Sequence, residues 1–264
     1  MALSFCSLSS GSSGNCYYIG NGMHGILVDA GISATSIRKF LKELGISTQS
    51  LMGVLITHNH TDHIKGLEVL VRRNKMPVFT TLKIKESILS PHVDISPSGI
   101  KEIPMQRKFH LAGFEIEAFA VSHDAPETIG FRISSEGQSI TIATDLGYIS
   151  EPVGRYMKGS NVLVIESNYD EKMLTEGSYP HYLKSRIRSD KGHLANHQAS
   201  GFLAENISDS HVHICLAHLS RNNNTSDLAL ETLTKTLTEK GIQLNGKPKI
   251  WVLDRYKPSA MITL

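Results

Sequence analysis

The sequence predicts a single domain of layered α/β type, and three observations support this fold class. The chain has 264 residues, which is enough for one sizeable core. Short apolar runs alternate with segments whose apolar residues recur at helical spacing. No internal repeat and no linker divides the sequence, so we expect residues 1–264 to form one domain.

The first part of the chain is expected to open with an antiparallel hairpin. A Ser/Gly-rich loop at 9–15 precedes two short apolar runs, Cys16–Gly20 and Gly25–Val28, that are typical of paired strands. Apolar residues then recur at i, i+3, i+4 and i+7 over 37–44, which predicts an amphipathic helix. The further elements expected in this part are a strand at 51–56, a helix at 64–73, a strand at 78–80 and a helix at 82–89.

The second part is expected to change from strands to alternating helices and strands. Apolar runs separated by turn residues predict strands at 114–121, 128–133, 139–144 and 161–165. Helical spacing and intervening apolar runs then predict helices at 182–188, 197–207 and 227–240, with strands at 212–217 and 250–253.

Composition excludes several classes of protein. The net charge is only +2, so affinity for nucleic acid would have to come from local patches. Three cysteines without CxxC spacing do not form a disulfide framework or a thiolate zinc site, and we expect them to be buried apolar residues. The sequence shows neither a signal-peptide pattern nor an apolar stretch near the ~20 residues of a membrane span, so we expect a cytoplasmic protein without membrane contact.

Residues 57–63 contain three histidines and an aspartate directly after an apolar run. His58 and His60 are two positions apart and can point to the same side of an extended segment, while Asp62 and His63 follow on the turn into a helix. A single histidine is more often a hydrogen-bonded structural residue, but three so close together favour metal. Imidazole nitrogen and carboxylate oxygen suit zinc, manganese or iron. The spacing therefore predicts one metal ion on the first two residues and a neighbouring ion on the second two.

Three further polar residues follow predicted strands: His123, Asp145 and His218. Taken singly, Asp145 could be a turn residue and His218 an ordinary strand-end histidine. Their common position after apolar runs favours their joining the metal cluster. A cluster completed by distant residues has room for water, which favours catalysis over a purely structural site.

The order and context of these residues resemble the five motifs of the metallo-β-lactamase superfamily over essentially the whole chain. The resemblance implies an αββα sandwich, two mixed β-sheets flanked by helices, with a dinuclear metal site at one edge of the sheets. The implied ligands of the first ion are His58, His60 and His123. The implied ligands of the second ion are Asp62, His63 and His218. Asp145 would bridge the two ions, and Asp29 would support the ligand loop without binding metal.

Further features of the resemblance narrow the chemistry. Asp145, where lactamases have cysteine, and His63 are typical of the phosphodiesterase and glyoxalase branches. Segment 192–199 resembles the histidine loop of transfer-RNA 3′-processing nucleases, in which a histidine protonates the leaving oxygen, and His193 matches that histidine. Glu166 stands where those nucleases place the glutamate that orients it. Together with segments 9–15, 166–170 and 218–223, these features resemble the bacterial YycJ/WalJ (VicX) subfamily, which is associated with exonuclease activity on DNA.

The resulting hypothesis is a metal-dependent phosphodiesterase, specifically a 5′-to-3′ exonuclease of single-stranded DNA. Two divalent ions (Mn²⁺, Zn²⁺ or Fe²⁺) about 3.5–4 Å apart would activate a water as hydroxide for in-line attack on phosphorus. His193, kept protonated by Glu166 and Asp62, would act as general acid. Only 72 residues separate Asp145 from His218, so we expect no inserted capping domain of the kind found in larger RNA-cleaving members.

A cationic segment before the histidine loop is the expected DNA contact. Its basic residues are Lys184, Arg186, Arg188 and Lys191. Phosphate contacts of this kind give affinity without sequence readout. A solvated helix face explains these charges as well as DNA binding does. For a second basic cluster, formed by Arg72, Arg73 and Lys75, a solvated face is the better explanation. Tyrosines that could stack on bases, or pack within the protein, are Tyr169, Tyr179 and Tyr182.

Two alternatives remain open at this point. The first is a hydrolase of a small cyclic phosphodiester, thioester or lactone on the same dinuclear site. The second is a non-enzymatic, metal-bound adaptor in a signalling or repair complex. His193 and Glu166 argue against the adaptor, because an adaptor has no need of a proton donor.

Overall fold

Two seven-stranded mixed β-sheets form the centre of the protein in a computed structural model, which describes residues 2–89 and 95–264. Within these residues the strands are β1 (Ser4–Ser9), β2 (Cys16–Gly20), β3 (Gly25–Val28), β4 (Leu51–Leu55), β5 (Val78–Thr80), β6 (Ile100–Glu102), β7 (Lys108–Leu111), β8 (Phe114–Ala120), β9 (Ile129–Ser135), β10 (Gln138–Ala143), β11 (Val162–Glu166), β12 (His213–Ala217), β13 (Lys249–Val252) and β14 (Ile262–Thr263). The α-helices are α1 (Ala34–Glu43), α2 (Thr61–Ile64), α3 (Leu67–Asn74), α4 (Leu82–Ile88), α5 (Glu151–Met157), α6 (Glu171–Glu176), α7 (His181–Arg188), α8 (Asn196–Asn206) and α9 (Ser226–Glu239).

Each sheet combines an antiparallel and a parallel part. The first sheet has the order β14-β1-β2-β3-β4-β5-β6, and the second has the order β13-β12-β11-β10-β9-β8-β7. The strands β3 to β6 are parallel to one another, as are β10 to β13. Because the carboxyl ends of parallel strands meet at one edge of a sheet, the loops after these strands lie together and can build a site.

The second sheet is covered on both faces, as the alternation along β11 shows. Val162 and Val164 pack into the core that also holds the first sheet, whereas Leu163 and Ile165 pack into a second core with α5, α8 and α9. Such a doubly buried strand reads as a continuous apolar run, which is why it was predictable. Helices α1, α3 and α4 contribute to the core of the first sheet. The predicted αββα arrangement of two mixed sheets flanked by helices is confirmed.

The helix predicted at 64–73 is present as α3 but begins only at Leu67, because the shorter helix α2 ends at Ile64 and the chain between them is interrupted near Gly66. The Gly66 N–H donates to Ala30 O at 2.8 Å. A Cβ atom at Gly66 would lie 2.2 Å from Ile32 O. The close approach to the loop after β3 therefore interrupts the helix and requires glycine.

Six short elements were not predicted: β1, β6, β7, β14, α5 and α6. Strand β1 contains three serines among six residues yet is almost wholly buried. Strand β7 is an edge strand with exposed Lys108 and His110. Helix α5 contains Pro152 and Gly154, which weaken helical propensity. The predicted burial of the cysteines is confirmed, because all three are free and buried. Among the described residues, no helix has the length and apolar character to cross a bilayer.

Candidate metal centre

Sharp backbone turns mark the ends of three strands at the edge where the site lies. Asp29 after β3, Asp145 after β10 and His218 after β12 have φ angles of 61°, 57° and 55°. These angles fall in the left-handed region, which residues other than glycine seldom adopt. Strain of this kind persists only where the surroundings hold the residue, and it concentrates at functional sites.

All of the predicted metal ligands come together at this edge. Their ligand atoms form groups in which every pair lies within 4.8 Å: His58, His60 and His123; Asp62, His63 and His218; His58, His63 and Asp145. The first two groups match the two sets that the superfamily resemblance implies. The third group connects them through Asp145, the residue expected to bridge two ions.

Buried polar atoms without hydrogen-bond partners show that the cluster fits divalent ions. These atoms are His58 Nε2, His218 Nε2 and Asp145 Oδ2. Leaving a buried polar atom unsatisfied costs about 1–3 kcal/mol, so a ligand that fills these positions is favoured. Burial and the neighbouring His63 hold the pKa of His58 well below its ordinary value, which leaves the neutral imidazole that binds metal. The imidazole and carboxylate donors suit Zn²⁺, Mn²⁺ or Fe²⁺.

Asp29 orients the His63 ring through a hydrogen bond with Nδ1. Asp29 Oδ2 lies 2.7 Å from His63 Nδ1, and the Thr57 backbone N–H donates to Asp29 Oδ1 at 2.9 Å. His63 Nε2 is left facing Asp145 Oδ2 at 3.2 Å and Asp62 Oδ2 at 3.7 Å. Burial lowers the pKa of His63, but Asp145 and Asp29 outweigh it and hold this pKa well above its ordinary value. The surroundings of His63 thus favour positive charge at this position. A carboxylate that holds a histidine in this way is common behind the ligands of metal sites.

Two further histidines are oriented in the same way. His123 Nδ1 donates to Gly192 O at 2.9 Å, which leaves Nε2 toward the cluster. His218 Nδ1 lies 2.7 Å from Glu166 Oε1, and His218 Nε2 lies 3.5 Å from Asp62 Oδ2. In each ring the hydrogen bond at one nitrogen leaves the other nitrogen available to bind a metal ion.

Glu166 connects the cluster to His193. The Glu166 side chain is fully buried, its Oε1 lies 2.8 Å from His193 Nδ1, and its Oε2 accepts two backbone N–H groups. Burial raises the pKa of Glu166, but His193 and His218 outweigh this and the net pKa lies below its ordinary value. The carboxylate is therefore ionised at neutral pH. Of the two carboxylates predicted to hold His193, Glu166 makes the contact, while Asp62 lies against His63 and His218.

A cleft of about 280 Å³ opens over the cluster. Helix α7 contributes Leu183, Arg186 and Ile187 to one wall, and Ser12 and Ser220 also line the cleft. The segment predicted to bind DNA is therefore next to the predicted metal ligands.

The predicted cationic segment is partly engaged within the protein. Arg186 pairs with Asp124, Arg188 pairs with Glu171, and Lys184 Nζ donates to a backbone carbonyl at 2.7 Å. Lys191 is exposed.

The three tyrosines proposed for base stacking differ in exposure. Tyr169 is only 3% exposed, so of the two alternatives left open it packs within the protein. Tyr179 lines the cleft, and Tyr182 is 75% exposed.

Several residues at the site were missed by sequence reasoning. Thr57 binds Asp29, Asn15 Nδ2 lies 3.0 Å from His63 Nε2, and Asn168 Nδ2 donates to His218 O at 2.7 Å. Asp124 lies beside His60 and His123. Thr57 and Asp124 are sequence neighbours of predicted ligands, and that adjacency was the signal that could have found them.

Comparison with known proteins identifies the family. Residues 24–211 match the family model described as "Beta-lactamase superfamily domain". The chain therefore belongs to the metallo-β-lactamase superfamily. The metallo-β-lactamase fold protein YhfI from Bacillus subtilis has a TM-score of 0.72 to this chain, with 13% identity and complete coverage of both chains. A likeness at this identity shows the fold alone.

Two curated relatives match this chain over nearly its whole length. It is 38% identical to "Exodeoxyribonuclease YycJ" of Bacillus anthracis, with 98% of each chain covered. It is 34% identical to "Exodeoxyribonuclease WalJ" of Streptococcus pneumoniae, with 92% of this chain and 91% of the relative covered. The family and these relatives make the chain a metal-dependent hydrolase.

Proposed function

We propose that this protein is a metal-dependent exonuclease that degrades single-stranded DNA in the 5′-to-3′ direction. The observation that carries the proposal is the contact between ionised, buried Glu166 and His193 beside the converging metal ligands. The names of the YycJ and WalJ relatives support DNA as the substrate. The cleft of about 280 Å³ is at the lower end of pocket volumes, which favours a single strand over a duplex.

The ligand sets proposed for the two ions follow the grouping of the side chains. The first ion is held by His58, His60 and His123. The second ion is held by Asp62, His63 and His218. Asp145 lies between the two sets, and Asp29 positions His63. Divalent ions at these positions supply Lewis acidity, which lowers the pKa of water and neutralises phosphate charge.

His193 supplies the proton in this proposal. Its Nδ1 is held by Glu166 Oε1, so Nε2 is the nitrogen available to the substrate. The buried Glu166 holds the ring so that its Nε2 can donate a proton to the departing sugar oxygen. Without this donor the sugar oxygen would leave as a high-energy alkoxide.

Helix α7 and the residues after it are proposed to guide the strand. Arg186 is at the cleft wall, and Lys184, Arg188 and Lys191 extend the positive charge along the same segment. Phosphate oxygens would compete with Asp124 and Glu171 for the two arginines. We further propose that residues 1–264 form one domain without a capping domain, which leaves the cleft accessible to a strand end, and that the protein acts in the cytoplasm.

Digestion of labelled DNA tests the proposal. The metal content of the purified protein is measured first, and single- and double-stranded oligonucleotides labelled at the 5′ or the 3′ end are then digested with Mn²⁺ or Zn²⁺. We expect mononucleotide release from the 5′ end of the single strand, with the 3′-labelled strand shortening progressively.

The same experiment separates the alternatives. Internal cuts or release from the 3′ end would contradict the exonuclease polarity. Absence of cleavage with every metal, together with turnover of a cyclic phosphodiester, thioester or lactone, would favour a small-molecule hydrolase. Bound metal without any hydrolysis would favour the adaptor.

A further inference from the structure

Asp124 is an acidic residue beside the first ligand set that has no assigned part in the site. Its Oδ1 lies 3.4 Å from His123 Nε2 and 3.7 Å from His60 Nε2. The same oxygen is buried and has no hydrogen-bond partner. The other oxygen, Oδ2, accepts a hydrogen bond from Arg186 Nε.

The contact between Asp124 and His123 places a carboxylate oxygen at the metal-binding side of the ring. His123 Nδ1 donates its proton to Gly192 O, so Nε2 is the nitrogen that faces the cluster. Asp124 Oδ1 lies 3.4 Å from this nitrogen. A divalent ion beside both atoms would supply the partner that this buried oxygen lacks.

The distances also fit a shared ion. Ligands that each lie about 2.0–2.2 Å from one ion are separated by at most about 4.4 Å. The separations of Asp124 Oδ1 from His60 and His123 are both below this limit. Arg186 holds the second carboxylate oxygen, which is the type of support that ligating carboxylates usually receive.

We propose that Asp124 is an additional ligand of the ion held by His58, His60 and His123, with Arg186 orienting its carboxylate. This inference rests on the metal site of the proposed function. A carboxylate added to three imidazoles makes the set harder, which favours Mn²⁺ relative to Zn²⁺ at this position. The ion pair also connects the cleft wall to the metal, because Arg186 belongs to α7.

Metal titration of full-length variants tests the inference without using DNA. Mn²⁺ binding to the metal-free protein is measured by calorimetry for the wild type, Asp124→Asn and Glu171→Gln. Glu171→Gln is the matched control, because it also removes a carboxylate that pairs with an arginine of α7. That arginine is Arg188. We expect Asp124→Asn to weaken one of two Mn²⁺ sites at least tenfold, with a smaller loss for Zn²⁺, and the control to bind as the wild type does.

The Co²⁺ absorption spectrum separates a ligand from a residue that only positions its neighbours. At saturating Co²⁺ we expect Asp124→Asn to change the spectrum, because an anionic oxygen donor is lost. Asp124→Ser should give the same loss of Mn²⁺ affinity, which covers the case in which the asparagine variant does not fold. Wild-type Mn²⁺ affinity or an unchanged Co²⁺ spectrum in folded Asp124→Asn would overturn the inference. Wild-type protein that binds two ions but leaves DNA intact would reject only the exonuclease function.

Discussion

Each histidine of the second ligand set is held by a group that does not itself face the cleft. Asp29 holds His63 and Glu166 holds His218, both at 2.7 Å between the paired atoms. Since these carboxylates are fully buried, they keep their geometry whether or not substrate is present. Glu166 contacts two histidines, because the Oε1 atom that lies near His218 also lies near His193. One buried carboxylate thus contacts both a predicted metal ligand, His218, and the proposed proton donor, His193.

Replacing His193 tests the proton donor. We expect His193→Ala to lower kcat on a DNA strand by about 10²–10⁴-fold, because the sugar oxygen then leaves unprotonated. Cleavage of bis-p-nitrophenyl phosphate should fall much less, since nitrophenolate needs no proton. His197→Ala, which removes an exposed histidine at the start of α8, is the control and should retain activity on both substrates. Equal losses on the two substrates would show that His193 has another role.

Single residues with distinctive chemistry could be predicted from the sequence. Residues whose role depends on their position in the fold could not. Histidines and aspartates grouped as in 57–63 signal metal from their spacing alone. Asn15 resembles an ordinary loop residue, because nothing local shows that it approaches His63. Asp124 follows the predicted ligand His123 directly, but its approach to His60 has no local signal. Those contacts exist only once distant strands meet.

Helix α7 is the element most open to change on binding substrate. None of its residues is buried, and Ile187 packs only partly buried against a small apolar cluster. The other contacts of the helix include the ion pairs Arg186–Asp124 and Arg188–Glu171. Surface ion pairs of this type contribute only about 0–1 kcal/mol each. A phosphate backbone can therefore take over these arginines at small energetic cost.

The basic residues of α7 give a prediction about salt. We expect replacement of Lys184, Arg186 and Arg188 by alanine to weaken binding of single-stranded DNA and to reduce the slope of log K against log salt by about 2. The control replaces Arg72, Arg73 and Lys75, which carry equal charge on another part of the surface. Fluorescence anisotropy measures the binding constant at salt concentrations between about 50 and 200 mM, the range over which phosphate contacts make affinity depend strongly on salt. An unchanged slope in the first triple variant, or a reduced slope in the second, would reject α7 as the DNA track.

Elements were predictable where burial made the pattern simple. The buried strand β11 and the amphipathic helix α1 follow from composition and spacing. Edge strand β7 pairs with its immediate neighbour β8, but none of its residues is buried, so its apolar pattern is weak. Short helix α6 has one buried residue, Leu174, which packs in a cluster that includes the distant Ala195. The break at Gly66 likewise depends on a distant residue, Ile32.

The whole molecule brings its two sheets together so that both contribute ligands. His58, His60 and His63 follow strand β4 of the first sheet, whereas His123, Asp145 and His218 follow strands of the second. Apolar runs alone predicted layers but did not show which strands share a sheet. The resemblance to a known superfamily supplied that arrangement, because long-range pairing leaves no local signal.

Metal binding should therefore stabilise the packing of one sheet on the other. Chelation of two ions, each at a free concentration about 100 times its Kd, removes about 2.7 kcal/mol per ion and should lower Tm by about 10–20 °C. Differential scanning calorimetry with and without EDTA measures this change. In His58→Ala, which lacks a ligand of the first ion, the chelator should have a smaller effect. An unchanged Tm after verified metal loss would show that the sheets pack independently of the ions.

The left-handed conformations of Asp29, Asp145 and His218 have a consequence for the life of the protein in a cell. Each strained residue costs about 1–3 kcal/mol, and folded stability is only about 5–15 kcal/mol in total. Protein that has not acquired its ions bears this cost without compensation and opens more often to proteases. We expect the abundance of the protein in cells that express it to follow metal supply, so that proteolysis removes enzyme that lacks its metal ions.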